Sequence, residues 1–234
     1  MSNALQILYE DNHLIVCVKP PGVLSQPGAK PLDDMLTILK AYIKEKYQKP
    51  GAVFLGLVHR LDLNVGGVMV FARTSKAARR LFQTIRNGDF HKTYLAIAEG
   101  NITEAAGHVW IDNLAKDESR RISVAAEGDE ARTSRLNFDV IARANIGKIP
   151  VSLVKVELET GRFHQIRSQF SLRNYPLLGD RKYGSQIECE NKQLGLWAFR
   201  LEFLHPVTGQ SMVFHAVPEG NFFALFAPEI KDII

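Results

Sequence analysis

Strand-like segments follow one another along this chain across joints too short for a parallel crossover, which takes a dozen or more residues. Residues 5–9 and 14–18 are apolar runs separated only by Glu10-Asp11-Asn12, which reads as strand, turn, strand. Lys19-Pro20-Pro21-Gly22 then stops the second run, because neither proline can donate to a ladder and each fixes its own φ. Residues 53–58 and 68–71 read as buried strands with 59–67 as the loop between them, and 93–98, 109–111, 121–124 and 134–141 follow with polar connections. Val154, Val156 and Leu158 alternate with Lys155, Glu157 and Glu159, as a half-buried strand requires. Trp197, Phe199, Leu201 and Phe203 alternate with Ala198, Arg200 and Glu202, and His205-Pro206-Val207-Thr208-Gly209 turns the chain into 211–216, a carboxy-terminal hairpin. The expected class is α+β, a mixed and mainly antiparallel central sheet with flanking helices.

Three helical patterns interrupt the strands. After Asp33, Met35, Leu36, Leu39 and Ile43 recur at helical spacing until Pro50-Gly51. Thr74 reads as an N-cap, Ala78, Leu81, Phe82 and Ile85 as a stripe, and Gly88 stands at the C′ position. Phe163, Ile166 and Phe170 mark a third helix ending near Asn174, ahead of Pro176, and place Arg162 and His164 in its first turn. No repeat, low-complexity tract or Gly/Ser linker divides the 234 residues, so one domain over 1–234 is expected.

With 46% hydrophobic and 23% charged residues the chain has an ordinary globular composition, which excludes disordered and collagen-like readings. No apolar stretch approaches the roughly 18 uncharged residues of a membrane span. Met1-Ser2-Asn3-Ala4-Leu5 lacks the basic-then-apolar pattern of a secretory signal, so a cytoplasmic protein without membrane contact is expected. Cys17 and Cys189 are too few for a disulfide scaffold or a four-cysteine zinc site and read as buried free thiols.

The net charge of +4 is unevenly spread. From Arg73 to Lys92 six basic residues face one acid, Asp89, and from Arg162 to Lys182 five face one, Asp180. A focused positive surface suits a polyanion, nucleic acid first; two solvated helix faces would leave the same signature.

Candidate chemistry gathers in two clusters. The segment after residues 53–58 carries His59-Arg60-Leu61-Asp62, then Asn64 and Gly66-Gly67. Asp62 is the candidate nucleophile or base, and in a desolvated site its ionised form needs a cation, which Arg60, Arg162 or Arg167 could supply. The second cluster is Thr160-Gly161-Arg162-Phe163-His164-Gln165-Ile166-Arg167. An inward arginine there needs a carboxylate partner, and spacing alone does not choose among the 25 acids. Tyr94, on a strand, reads as a core aromatic or as a ring stacked on a base. No metal-ligand spacing, dinucleotide fingerprint or P-loop occurs, so neither a metal nor a nucleotide cofactor is indicated. The residues by themselves support a polyanion-binding α+β domain and no particular reaction.

In order along the chain, His59-Arg60-Leu61-Asp62, Lys92-x-Tyr94-x-Ala96, Thr160-Gly161-Arg162-x-His164-Gln165-Ile166-Arg167 and Pro176-Leu177-Leu178-Gly179-Asp180 with Tyr183-Gly184 closely resemble the RluA-type pseudouridine synthases. Val18-Lys19-Pro20-Pro21-Gly22, Glu130-Ala131-x-Thr133 and Phe203-x-His205-Pro206-x-Thr208-Gly209 extend the resemblance to nearly the whole chain. It implies a mixed-sheet catalytic domain that converts specific uridines in structured RNA to pseudouridine without cofactor or metal, in ribosomal RNA before transfer RNA, as a monomer. It makes Asp62 the catalytic aspartate, Tyr94 the tyrosine stacked on the target base, and Arg167 the arginine paired with the aspartate. It also implies that Arg60 helps extrude the base, that Leu178 lines the pocket, and that His59, Arg162 and His164 contact substrate. Arg73, Lys76, Arg79, Arg80, Lys92, Arg173, Arg181 and Lys182 then read as cations for the RNA backbone. Two departures stand out: Val65-Gly66-Gly67 replaces the usual Thr-Ser-Gly, and Leu196-Trp197-Ala198 the usual Leu-His-Ala. The catalytic pattern starts almost at once, so the small amino-terminal RNA-binding domain of many relatives is expected to be missing. The alternative is a non-catalytic RNA-binding protein on the same scaffold.

Overall fold

A computed structural model describes residues 5–29, 31–103, 107–188, 193–218 and 220–234. In chain order the elements are β1 (Gln6–Glu10), β2 (Leu14–Lys19), α1 (Met35–Lys46), β3 (Gly56–Leu57), β4 (Gly66–Ala72), α2 (Ser75–Asn87) and β5 (His91–Glu99). They continue with β6 (His108–Asp117), β7 (Ile122–Ala125), β8 (Arg132–Ile146), β9 (Ile149–Leu158), α3 (Gln165–Ser171), β10 (Leu196–Leu204), β11 (Ser211–His215) and α4 (Ala227–Lys231). The chain forms two compact units, Met1–His91 with Ala198–Ala216, and Lys92–Trp197 with Val217–Ile234.

In the first unit the strand order is β1-β2-β4-β10, with β3 on β4 and β11 on β10. The pairs β1/β2, β2/β4, β3/β4 and β10/β11 are antiparallel. Asp11 makes the first turn, accepting the His13 and Leu14 N–H groups at 2.8 and 2.7 Å. The run 14–17 is completely buried, as are most side chains of β4, so these strands form the centre of the unit. Asp34 caps α1 by accepting the Thr37 N–H, and Met35, Leu39 and Ile43 are buried as the spacing predicts. Thr74 caps α2 and Gly88 closes it at φ 86°. Ala77, Ala78 and Leu81 form its buried face, whereas Phe82, expected in the stripe, is 48% exposed.

The expected strand at 53–58 shrinks to the two residues of β3, which pair with Ala72 and Phe71. The rest of that edge of β4 is covered by β10: a Cβ on Gly67 would stand 2.2 Å from the Ala198 carbonyl oxygen. Gly67 also has φ 125°, so glycine is required there by both space and backbone conformation.

In the second unit the order is β5-β9-β8-β6-β7, antiparallel throughout. β8 and β9 form a hairpin turned by Gly147, at φ 60°, and Lys148, and run well past the segments 134–141 and 152–159 read from the sequence. In the extension of β8, half-buried Ala142, Ala144 and Ile146 alternate with exposed Arg143 and Asn145. Trp110, Phe138 and Phe170 pack ring to ring at 4.3 to 6.0 Å, joining β6, β8 and α3.

α3 is shorter than its apolar stripe suggests. His164 precedes it in the left-handed region at φ 49°, so Arg162 and His164 lie before the helix rather than in its first turn. Gln165 explains the start: its Oε1 accepts the Arg162 N–H and the Thr160 hydroxyl, closing the loop against the helix. Cys17 is a buried free thiol, while Cys189 and residues 1–4 lie outside the described residues. Among the described residues no helix is long and apolar enough to cross a membrane.

Candidate active site

Asp62 sits on a loop pinned on both flanks within the first unit. On one side the Ser25 hydroxyl donates to the Leu61 carbonyl at 2.9 Å and accepts the Leu61 N–H at 3.0 Å. On the other side the Leu63 carbonyl accepts from Gly22 N–H at 2.8 Å and from Lys19 Nζ at 3.2 Å. Asp62 itself is half-buried between them. The Lys19 side chain is fully buried, and its Nζ also donates to the Pro20 and Val23 carbonyls at 3.0 and 2.6 Å. Burial pushes the Lys19 ammonium down to about 7, and the Asp62 carboxylate acts in the opposite direction. This lysine drew no role from the sequence; the signal was a cation ending an apolar strand directly before two prolines.

Around this loop, His59 accepts the Val70 N–H on Nε2 at 3.1 Å and sets its ring edge-on to Phe90. That contact orients the imidazole toward the sheet. Arg60 is exposed beside it. Gly67, the glycine shared with the usual Thr-Ser-Gly, stands against Ala198 where no side chain is admitted, while the departure at Val65-Gly66 has no structural explanation.

The second unit carries Tyr94, Arg167 and Leu178. Tyr94 lies on β5 opposite Val156 and is 7% exposed. Leu178 is buried and tied to the same strand, its N–H donating to the Ile97 carbonyl and its own carbonyl accepting from Gly195. Arg167 makes a two-pronged ion pair with Asp180, Nε to Oδ2 at 2.6 Å and Nη2 to Oδ1 at 2.8 Å, both residues being almost fully buried. Its guanidinium also lies 5.0 Å from the centre of the Tyr183 ring. The Tyr183 hydroxyl accepts the Ser123 N–H at 2.6 Å and is hydrogen-bonded with His164 Nδ1 at 3.0 Å. Asp180, Tyr183 and His164 therefore hold Arg167 in a fixed plane. Arg162 is exposed and reaches back to the Thr133 carbonyl at 3.4 Å.

The eight cations expected on the RNA backbone differ in availability. Arg73 is held by Glu10 at 2.9 Å and by the Asp11 carbonyl, and lies over the Tyr47 ring. Arg173 grips Asp112 with two nitrogens at 2.9 and 3.2 Å and covers Trp110. Arg80 donates to the Pro206 carbonyl, and Arg181 pairs with Glu188. Lys76, Arg79 and Lys182 are exposed, and Lys92 is half-buried; none of these four side chains has an ion pair or hydrogen bond among the described residues.

Comparison places this arrangement in a class. The fold matches the human RNA Pseudouridylate Synthase Domain Containing 4 with a TM-score of 0.73 at 21% identity, covering 97% of this chain and 93% of that one. It matches the human RNA Pseudouridylate Synthase Domain Containing 1 at 0.69 and 19% identity, with 96% and 94% covered. The sequence profile of RNA pseudouridylate synthase matches residues 13–172. The Dual-specificity RNA pseudouridine synthase RluA of Haemophilus influenzae is 35% identical over 91% of this chain and 92% of its own length. Ribosomal large subunit pseudouridine synthase D of Xanthomonas campestris is 32% identical, over 92% of this chain and 66% of its own. The chain belongs to the RNA pseudouridylate synthase family, in its RluA-type branch, and is an isomerase that converts uridine in RNA to pseudouridine.

Proposed function

We propose that Asp62 is the catalytic carboxylate of this isomerase, that Tyr94 stacks on the target uracil, and that Arg167 is the positioning cation of the reaction. The observation that carries the reading is the pinned loop: Ser25, Gly22 and Lys19 hold the residues on both sides of Asp62 and so fix where its carboxylate stands. Isomerisation breaks the N1–C1′ bond and remakes the link through C5. An ionised carboxylate serves whether it adds to C6 of the ring or acts at the ribose. Arg60, exposed on the same loop, is positioned to insert where the base leaves its stack, a step that costs a few kcal/mol and least in an unpaired loop.

The RNA is proposed to be a stem-loop in ribosomal RNA, since one relative is named for the ribosomal large subunit and sequence readout in RNA favours unpaired loops. Lys76, Arg79, Lys92 and Lys182, which have no partner among the described residues, are the cations offered to its backbone. Release of tritium from RNA bearing 5-tritiated uridine is the direct assay. Asp62→Ala should abolish release while keeping the circular dichroism spectrum and RNA binding of the wild type. Continued release by the pure variant removes Asp62 from the mechanism. Pseudouridine maps of ribosomal and transfer RNA from cells with and without the gene then name the substrate.

A further inference from the structure

Lys92 is the one residue among the offered cations that is both drawn out of water and without a counter-charge. It opens β5, where its ammonium lies against bare backbone: a Cβ on Gly161 would stand 2.9 Å from Nζ. Burial lowers its pKa, and among the described residues no opposite charge offsets that. The nearby acids of β9 and the following turn are already committed, Glu157 to Lys155 at 3.4 Å and Glu159 to Arg135 at 2.8 Å. A cation in this state destabilises the free protein unless a partner arrives from outside.

The strand defines what kind of partner fits. Lys92 and Tyr94 are two residues apart on β5 and so point to the same face. On the reading that Tyr94 stacks on the target base, an anion carried by that same nucleotide falls at the Lys92 end of the strand. Exposed Arg162 follows Gly161 directly and adds a second positive charge there. We propose that Lys92, floored by Gly161, is a phosphate subsite for the phosphodiester adjoining the target uridine. A side chain at 161 would then push the ammonium aside, which gives the glycine of Thr160-Gly161-Arg162 a function in binding.

The inference rests on the assignment of Tyr94, and its test reads binding and stability, independently of turnover. Fluorescein-labelled oligouridylate is titrated by anisotropy across a salt series against wild type, Lys92→Gln and a control, Lys148→Gln, at the exposed β8–β9 turn. Thermal midpoints are measured alongside. Lys92→Gln should weaken binding about tenfold at low salt. It should also flatten the slope of log affinity against log salt by about 0.7. Its thermal midpoint should equal or exceed that of the wild type, because an uncompensated charge has been removed. Lys148→Gln should leave affinity unchanged. Wild-type affinity and slope in Lys92→Gln overturn the subsite, as does an equal loss in Lys148→Gln, and a lowered midpoint assigns Lys92 a structural role instead. Should the wild type release no tritium from 5-tritiated RNA, the catalytic reading fails, and the binding result still decides whether Lys92 holds a phosphate.

Discussion

Replacing Arg167 by methionine removes one half of an ion pair whose other half has nowhere to go. Asp180 is 1% exposed and receives two guanidinium hydrogen bonds from Arg167 at 2.6 and 2.8 Å. Stranding that carboxylate should cost about 3 to 5 kcal/mol. In a chain of this length that corresponds to a fall in thermal midpoint of roughly 6 to 20 °C. Asp180→Leu alone strands the arginine and should cost a similar amount. The double variant Arg167→Met/Asp180→Leu removes both members of the pair, and its stability should exceed that of either single variant. Circular dichroism melts of the four proteins complete the cycle, with tritium release measured on each. The expected pattern is recovery of stability in the double variant without recovery of activity, because the fold needs the pair balanced and, on the proposed role of Arg167, turnover needs the arginine. If the two losses simply add, or if Arg167→Met melts with the wild type, Asp180 is not what holds Arg167 and the reasoning fails.

Lys19 predicts a pH dependence with a definite sign. Its native pKa, pushed down to about 7, lies below that of an unfolded lysine near 10.5, so the unfolded chain binds more protons and stability rises with pH over that interval. Between pH 7 and 9 the gain should be about 2 kcal/mol, read as a urea-midpoint shift that Lys19→Met lacks; equal shifts in both proteins would refute it. Two glycine substitutions should behave oppositely. Gly67→Ala, with its Cβ 2.2 Å from the Ala198 carbonyl oxygen, should yield no folded protein, whereas Gly88→Ala, strained at φ 86° but with open space around it, should lower stability by only about 1 to 2 kcal/mol.

Local chemistry made the helix caps and the terminal hairpin readable: Thr74, Gly88 and the turn at His205–Gly209 act over a few residues, and each appears where the sequence implies. Segment 53–58 misled because its apolar residues resemble a buried strand, while the length of β3 is decided by which strand covers the other end of β4. At the site, the motifs pointed to Asp62, Tyr94 and Arg167, but the groups that hold them did not announce themselves. The bond between Arg167 and Asp180 joins residues 13 apart through a turn, and that between Lys19 and Leu63 spans 44. Spacing carries no trace of such pairs, since they exist only once the strands are in register.

The ladder between β2 and β4 ends with Lys19 opposite Gly67, and on the proposed role of Asp62 that meeting ties turnover to correct strand alignment. A chain mispaired by a single residue would turn Lys19 to the opposite side of the sheet, strip the Leu63 carbonyl of one donor and move Gly67 away from Ala198. Misaligned molecules would then lose the placement of the Asp62 loop together with the tight seam beside it. In refolding experiments the fraction of turnover regained should therefore report the fraction of molecules whose first strands have found their proper partners.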